Sequence, residues 1–418
     1  MTDAERRQLH AELAHWQGAI VQLAELDAVA PAEAWSHLED YLRLRLRDRL
    51  TSSIAALSAE GTTLATALAS GRPLGECRAS LLRLRARYLA VESTVEFYGD
   101  AVQQRTTPRL GAVLRGLDTI AVDSMEVVLR PLGKDVPPAL VYPEKGLGAA
   151  VLRAGIRLWD QGGLSPVAAI KVTRHNLIHP TAILHETTHQ WSHLVGWNTE
   201  LGEVLAEVAG AAGDVPGLGE LWRSWAGEVA ADVGAFAMAG WSPVPALANV
   251  VDGPTASVHR VRLGDPHPPS WLRVLFNVEL CRSWYGAGPW DDLSAAWRSR
   301  HDPAGLTTHD AAVARAGERL LPALASACTR RPFRAFGGRP LHALADPDRV
   351  SPARLAELSR QAGDTLLTSA FLARSDSLRV LALLTSDQPL DPAATAARTA
   401  RLHDWLARLA PMPLPRAA

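Results

Sequence analysis

The chain has 418 residues, of which 47% are apolar and 21% charged, enough for two or three domains with real cores and too apolar for a disordered chain. Its 43 basic and 44 acidic side chains lack the basic excess of a general nucleic-acid binder, so no nucleic-acid partner is expected. Three widely separated cysteines, Cys77, Cys281 and Cys328, form no CxxC pair, which argues against both a disulfide framework and a cysteine-ligated zinc site.

The first residues, Met1 to Arg7, lack the apolar core of a secretory signal. The longest apolar stretch, Val229 to Val251, is broken by Asp232, Pro243 and Pro245, so no membrane span is expected and the chain reads as cytoplasmic. Leu9, Leu13, Trp16, Ile20 and Leu23 recur every three or four residues and predict a helix with one apolar stripe. Pro31 opens a second helix, whose pattern runs on through Leu42, Leu44 and Leu46. Gly71-Arg72-Pro73 breaks it, a third helix follows to about Gln104, and Pro108 and Gly111 punctuate a fourth. Residues 1–130 thus read as a helical bundle.

The turn-rich stretch Pro131 to Pro143 places a domain boundary. Lys145 to Asp160 reads as helix, Gln161-Gly162-Gly163 as a turn, and Val167 to Thr173 as the best strand in the chain. A loop with Asn176 and Pro180 then leads into another helix. Beyond residue 300 the pattern is helical again, clearest at Thr308–Thr329 and Pro392–Leu409, and no internal repeat is present. The fold class expected is mainly α with a small β-sheet: a central domain over 131–300 between the helical bundle and a C-terminal helical region over 301–418.

The informative residues are His185-Glu186-Thr187-Thr188-His189, an HExxH motif. Histidines at i and i+4 stand one turn apart on one helix face, so both imidazoles can bind one Zn²⁺ ion. Glu186 between them can take a proton from a water that the metal acidifies. Zinc needs a third protein ligand, and His193, Glu203, Glu207 and Glu228 compete for that place. His193 would require the helix to bend, and the helix dipole already accounts for an acid at Glu203. Glu228 is preferred: small residues flank it, allowing close approach to another helix, and Asp232 one turn on can accept the free N–H of a ligating histidine. Trp191, Trp197, Trp222 and Trp225 are assigned to the core, and His175 and His179 are left outside the site.

These residues resemble the gluzincins, zinc peptidases with two histidine ligands and one glutamate. The nearest resemblance is to the family of CAAX-prenyl endopeptidases, HtpX-type proteases and the mitochondrial Oma-type protease, across residues 165–280. That family pairs HExxH with E-x-x-x-D, matched here by Glu228 and Asp232. It also carries a later His-Pro with an Arg, similar to His267-Pro268-Pro269-Ser270-Trp271-Leu272-Arg273. A second resemblance is to the ImmA/IrrE-type peptidases, whose E-x-x-A-(N/D) helix the segment Glu228 to Asp232 fits equally. The first resemblance implies a zincin-like catalytic domain, Glu228 as third ligand, Asp232 as support for a ligating histidine, and His267 as an oxyanion donor. Tyr285 is the second candidate for that donor.

The expected function is therefore zinc-dependent hydrolysis of peptide bonds in a protein or peptide substrate. Two alternatives stand beside it. One is a latent regulatory peptidase whose helical flanks bind one partner protein. The other is a non-catalytic scaffold with a structural zinc site, closed by His193 or a second acid.

Overall fold

The computed structural model of the chain describes residues 3–146, 150–152, 167–211, 215–303, 306 and 308–409. It is mainly helical with a small β part. The described residues fall into two compact units, one made by the chain up to Gly111 and the other beginning at Ala112.

The first unit contains α1 (Asp3–Leu23), α2 (Leu26–Val29), α3 (Ala32–Leu42), α4 (Leu46–Ala69) and α5 (Leu74–Thr106). The buried residues of α5 alternate spacings of three and four with hardly a fault: Leu74, Cys77, Leu81, Leu84, Tyr88, Val91, Val95, Tyr98 and Val102. This is the seam of a coiled-coil-like pair. α4 meets it with Leu46, Leu50, Ile54, Leu57, Leu64 and Leu68. α1 buries Leu9, Leu13 and Ile20 against the same pair, and Trp16 packs on Tyr88 with ring centroids 5.2 Å apart.

The helix expected to continue from Pro31 through Leu46 is in fact two. Arg43 adopts the left-handed conformation, φ 53°, the one non-glycine residue to do so among those described. That conformation costs about 1–2 kcal/mol in an L-residue. The break is held by Glu39, whose carboxylate accepts the Arg47 backbone N–H at 2.8 Å and the Arg47 guanidinium at 2.9 Å.

The second unit begins with α6 (Pro108–Leu129), which crosses the division, and β1 (Ala139–Pro143), β2 (Ala150–Leu152) and β3 (Ala168–Val172). β3 is central, parallel to β1 and antiparallel to β2. Next come α7 (Ala182–Val195), α8 (Trp197–Gly210), α9 (Leu218–Ser224), α10 (Ala226–Ala239), α11 (Pro243–Val251), α12 (Thr255–Val258) and α13 (Ser270–Tyr285). α14 (Pro289–Arg300), α15 (Thr308–Arg330), the short strands β4 (Pro332–Phe333) and β5 (Arg339–Pro340), α16 (Pro352–Ala362), α17 (Ala370–Ser375), α18 (Ser377–Ser386) and α19 (Pro392–Leu409) complete it.

One expectation is corrected here, the helix read over Lys145–Asp160. Buried Asp118 of α6 accepts the Val141 backbone N–H of β1 at 2.6 Å and ties that helix to the sheet. The region after residue 300 is part of this same unit, since α15 packs on α13 and α18 on α10. The helix read over Lys145–Asp160 is overturned at Ala150–Leu152, where pairing with β3 makes a strand; residues 153–160, and the turn at Gln161-Gly162-Gly163, lie outside the described residues.

α10 is the centre of the unit. Every residue from Glu228 to Ala239 is buried, and α7, α8, α13 and α18 surround it. Gly234 permits the closest of these contacts: a Cβ there would fall 2.2 Å from Thr188 Oγ1 and 2.5 Å from its Cγ2. The α7 and α10 backbones therefore approach at a point where no larger residue fits.

Candidate metal centre

α7 carries the HExxH motif into the core. Ile183, Leu184 and Trp191 are fully buried on it, while Glu186 and His189 beside them are buried but keep a little solvent access. Thr187 is anchored by the Ser124 hydroxyl, which donates to Thr187 Oγ1 at 2.7 Å. The crossing at Gly234 then sets two polar turns face to face, His185 and His189 from α7, Glu228 and Asp232 from α10.

His185, His189 and Glu228 offer ligand atoms that lie within 4.8 Å of one another, and this group could hold a metal ion. The Nε2 atoms of the two histidines are 3.1 Å apart. Glu228 Oε1 is 3.2 Å from His189 Nε2, and Oε2 is 3.3 Å from His185 Nε2. Three atoms on a tetrahedral ion at about 2.1 Å would stand about 3.4 Å apart. His185 Nδ1 faces Asp232 Oδ1 at 2.9 Å; donating its proton there leaves the Nε2 lone pair aimed at His189 and Glu228. Two imidazole nitrogens and a carboxylate at this spacing have the chemistry and geometry to hold a metal ion.

A second layer clamps this set. The Arg273 guanidinium grips Asp232 through Nε to Oδ2 at 2.8 Å and Nη2 to Oδ1 at 2.9 Å. Nη2 also lies 3.1 Å from Glu228 Oε2. Asn277, one turn further along α13, donates to Asp232 Oδ2 at 3.0 Å. Burial pushes the Asp232 carboxyl up, but Arg273 and His185 outweigh it and hold it at about 2. Burial likewise pushes Glu228 up, and His185, His189 and Arg273 bring it far below the ordinary carboxylate range. For His185 burial acts downward, while Asp232 and Glu228 prevail and lift it to about 10. The field of Asp232 and Glu228 favours a positive charge at His185.

Glu186 is 6% exposed and lines the cleft, yet makes no hydrogen bond or ion pair among the described residues. Burial raises its pKa, with His185 and His189 opposing. The cleft holds about 580 Å³ and is bounded by the donor set, by Ala150 of β2, by α11 and by His267. His267 stands at the rim, its side chain 54% exposed, with Nε2 3.6 Å from Glu228 Oε1. Asp265 orients it, accepting both the His267 backbone N–H at 3.0 Å and the ring Nδ1–H at 2.7 Å.

The other candidates lie elsewhere. His193 is exposed. Glu203 pairs with Arg223, and Glu207 with Arg331 at 3.0 Å, both on the surface. Tyr285 donates to the Pro347 carbonyl at 2.9 Å and packs on Phe236, away from the cleft. Trp191 and Trp197 stack 5.5 Å apart in the core, and Trp222 packs edge-on against Trp225. His179 is half-buried, its Nε2 2.8 Å from the Ser242 carbonyl oxygen. Sequence reasoning assigned no role to Arg273 and missed Asn277. The signal was present: Arg273 and Asn277 are four apart, on one face of the helix that the His267-Pro268-Pro269 segment starts.

No helix among the described residues is long and apolar enough to cross a membrane. No protein-family model, curated protein or solved structure matches the chain.

Proposed function

We propose that this chain is a zinc-dependent metallopeptidase that hydrolyses peptide bonds in a protein or peptide substrate. The observation that carries the reading is the pairing of a His185, His189 and Glu228 donor set with Glu186, a buried, unpartnered carboxyl opening on the same cleft. The resemblance of HExxH and Glu228-x-x-x-Asp232 to the gluzincin peptidases supports it, and so does a donor set of three, the number that leaves a catalytic zinc one open position.

Held by these three residues, Zn²⁺ would supply Lewis acidity toward the scissile carbonyl and acidify a water molecule. Glu186 takes the proton of the attacking water and passes it to the leaving amine, and its raised pKa brings it closer to neutral pH, where such a shuttle works best. Asp232, gripped by Arg273 and Asn277, holds the His185 Nδ1–H and so fixes that ring's tautomer and orientation. His267, steered by Asp265 through Nδ1, stands at the rim, and in its doubly protonated form it donates from Nε2 to the developing oxyanion. β2, paired on one side with β3, lends its other edge to an extended peptide.

The test uses the zinc-loaded chain on a proteome-derived peptide library read by mass spectrometry. Glu186→Gln is expected to keep the metal and to lose about 10²–10⁴-fold in cleavage rate. Cleavage by Glu186→Gln at the wild-type rate, or no cleavage by the zinc-loaded wild type, overturns the reading.

A further inference from the structure

α11 borders not only the metal cleft but a second hollow of about 350 Å³, and Asn176, Ala246 and Val250 line both. The two spaces differ in chemistry. Toward the cleft, α11 offers the partly exposed apolar side chains of Leu247, Val250 and Val251. The polar residues lining the second hollow include Arg398, Asn249 and Gln388, with His175 and His179.

Arg398 is positioned by backbone oxygens, Nη1 donating to Asp387 and Nη2 to Ile178 at 3.4 Å. It forms no ion pair with a carboxylate among the described residues, and its buried Nε has no hydrogen-bond partner. Burial lowers its pKa, with the Asp387 charge opposing from a distance. A guanidinium offers five N–H donors in a fork that matches a carboxylate. Here the fork is fixed, half-buried and unmatched by an anion of the chain, beside amides that can donate to the same ligand.

We propose that this hollow takes a carboxylate of the substrate, so that the enzyme selects peptides carrying an anionic group near an apolar residue. The word substrate rests on the peptidase reading; the binding does not. The carboxylate can belong to an acidic side chain or to the peptide's C-terminus, and the probes separate the two.

The experiment measures binding by calorimetry to the full chain carrying Glu186→Gln, which removes cleavage from the readout. Four probes are used: acetyl-Ala-Leu-Glu-Ala-amide, its Gln counterpart, acetyl-Ala-Leu-Ala with a free C-terminus, and the amide of that peptide. One carboxylate peptide is expected to bind about ten-fold or more tightly than its neutral counterpart, the scale of a charge-assisted pair. Arg398→Gln should erase that ratio and leave the neutral peptides unchanged, while Arg398→Lys, keeping the charge, should retain part of it. Equal binding of charged and neutral probes, no binding of any probe, or a ratio that survives Arg398→Gln overturns the proposal. A uniform loss for all four probes in Arg398→Gln also overturns it, by making Arg398 structural. Failure of the peptidase reading would appear instead in the cleavage assay, with the binding ratio intact.

Discussion

α4 with α5 and α7 with α10 are both pairs of packed helices, and they are put together from opposite materials. The first pair closes on an apolar seam, with Leu50, Leu57, Leu81 and Leu84 inside. The second closes on His185, His189, Glu228 and Asp232, with Arg273 and Asn277 behind them. An apolar seam tolerates local adjustment, because each contact contributes independently and without direction. A buried polar cluster holds only while every charge keeps its partner, so its stability and its chemistry fail together.

The sharpest way to break the comparison is Asp232→Asn. The amide removes the charge, keeps one acceptor oxygen and turns an NH₂ against the donors at the other position, so Arg273 loses its bidentate grip and either His185 or Asn277 loses its acceptor. Stability should fall by about 3 kcal/mol and metal affinity by about 10–100-fold, read by thermal melting and by metal titration of the same sample. No single polar-to-polar change on the outer faces of α4 or α5 should approach this.

Glycine-to-alanine changes on α10 and on the α1-facing side of α4 test the comparison with one kind of substitution. At Gly234 the new methyl meets Thr188 2.2 Å away, so α10 must move off α7; a loss of about 2 kcal/mol is expected, with metal binding weakened roughly ten-fold as the donors separate. At Gly61 the nearest atom is the flexible Gln17 Cγ at 3.3 Å, and alanine should stabilise the helix by up to about 1 kcal/mol. Equal effects at the two sites, measured by denaturant melts, would remove the distinction.

A smaller effect sharpens it by pH. Burial lifts the Asp123 carboxyl to about 6, against the pull of a hydrogen bond from Ser377. The folded chain therefore binds this proton more tightly than the unfolded chain, and the contribution to stability is lost as pH rises from about 4 to about 6. Asp123→Asn should stabilise the second unit above pH 6 by about 1–2 kcal/mol, discounted for partial exposure, and change little below pH 4. Melting curves across that range check both the size and the sign.

How far the sequence could be read follows the same division. The α5 seam was legible because apolar residues recur at a fixed spacing on an otherwise polar helix. α10 is buried all round, so its periodicity carries no information; its two acids stood out because nothing else on it is polar. HExxH was legible because both imidazoles sit on one helix turn by turn. Arg273 and Asn277 were not assigned, since their role appears only once α13 is laid against α10. Arg43 interrupts a leucine pattern that runs through it unbroken, and β2 is three residues whose strand state comes from pairing with β3 rather than from their own preference.

The central claim is that His185, His189 and Glu228 together hold one metal ion. Elemental analysis of the purified chain, of Glu228→Ala and of the surface control Glu203→Ala tests it most directly. About one zinc per chain is predicted in the wild type and in Glu203→Ala, and none in Glu228→Ala. Zinc retained by Glu228→Ala, or no metal in the wild type after reconstitution, would contradict it.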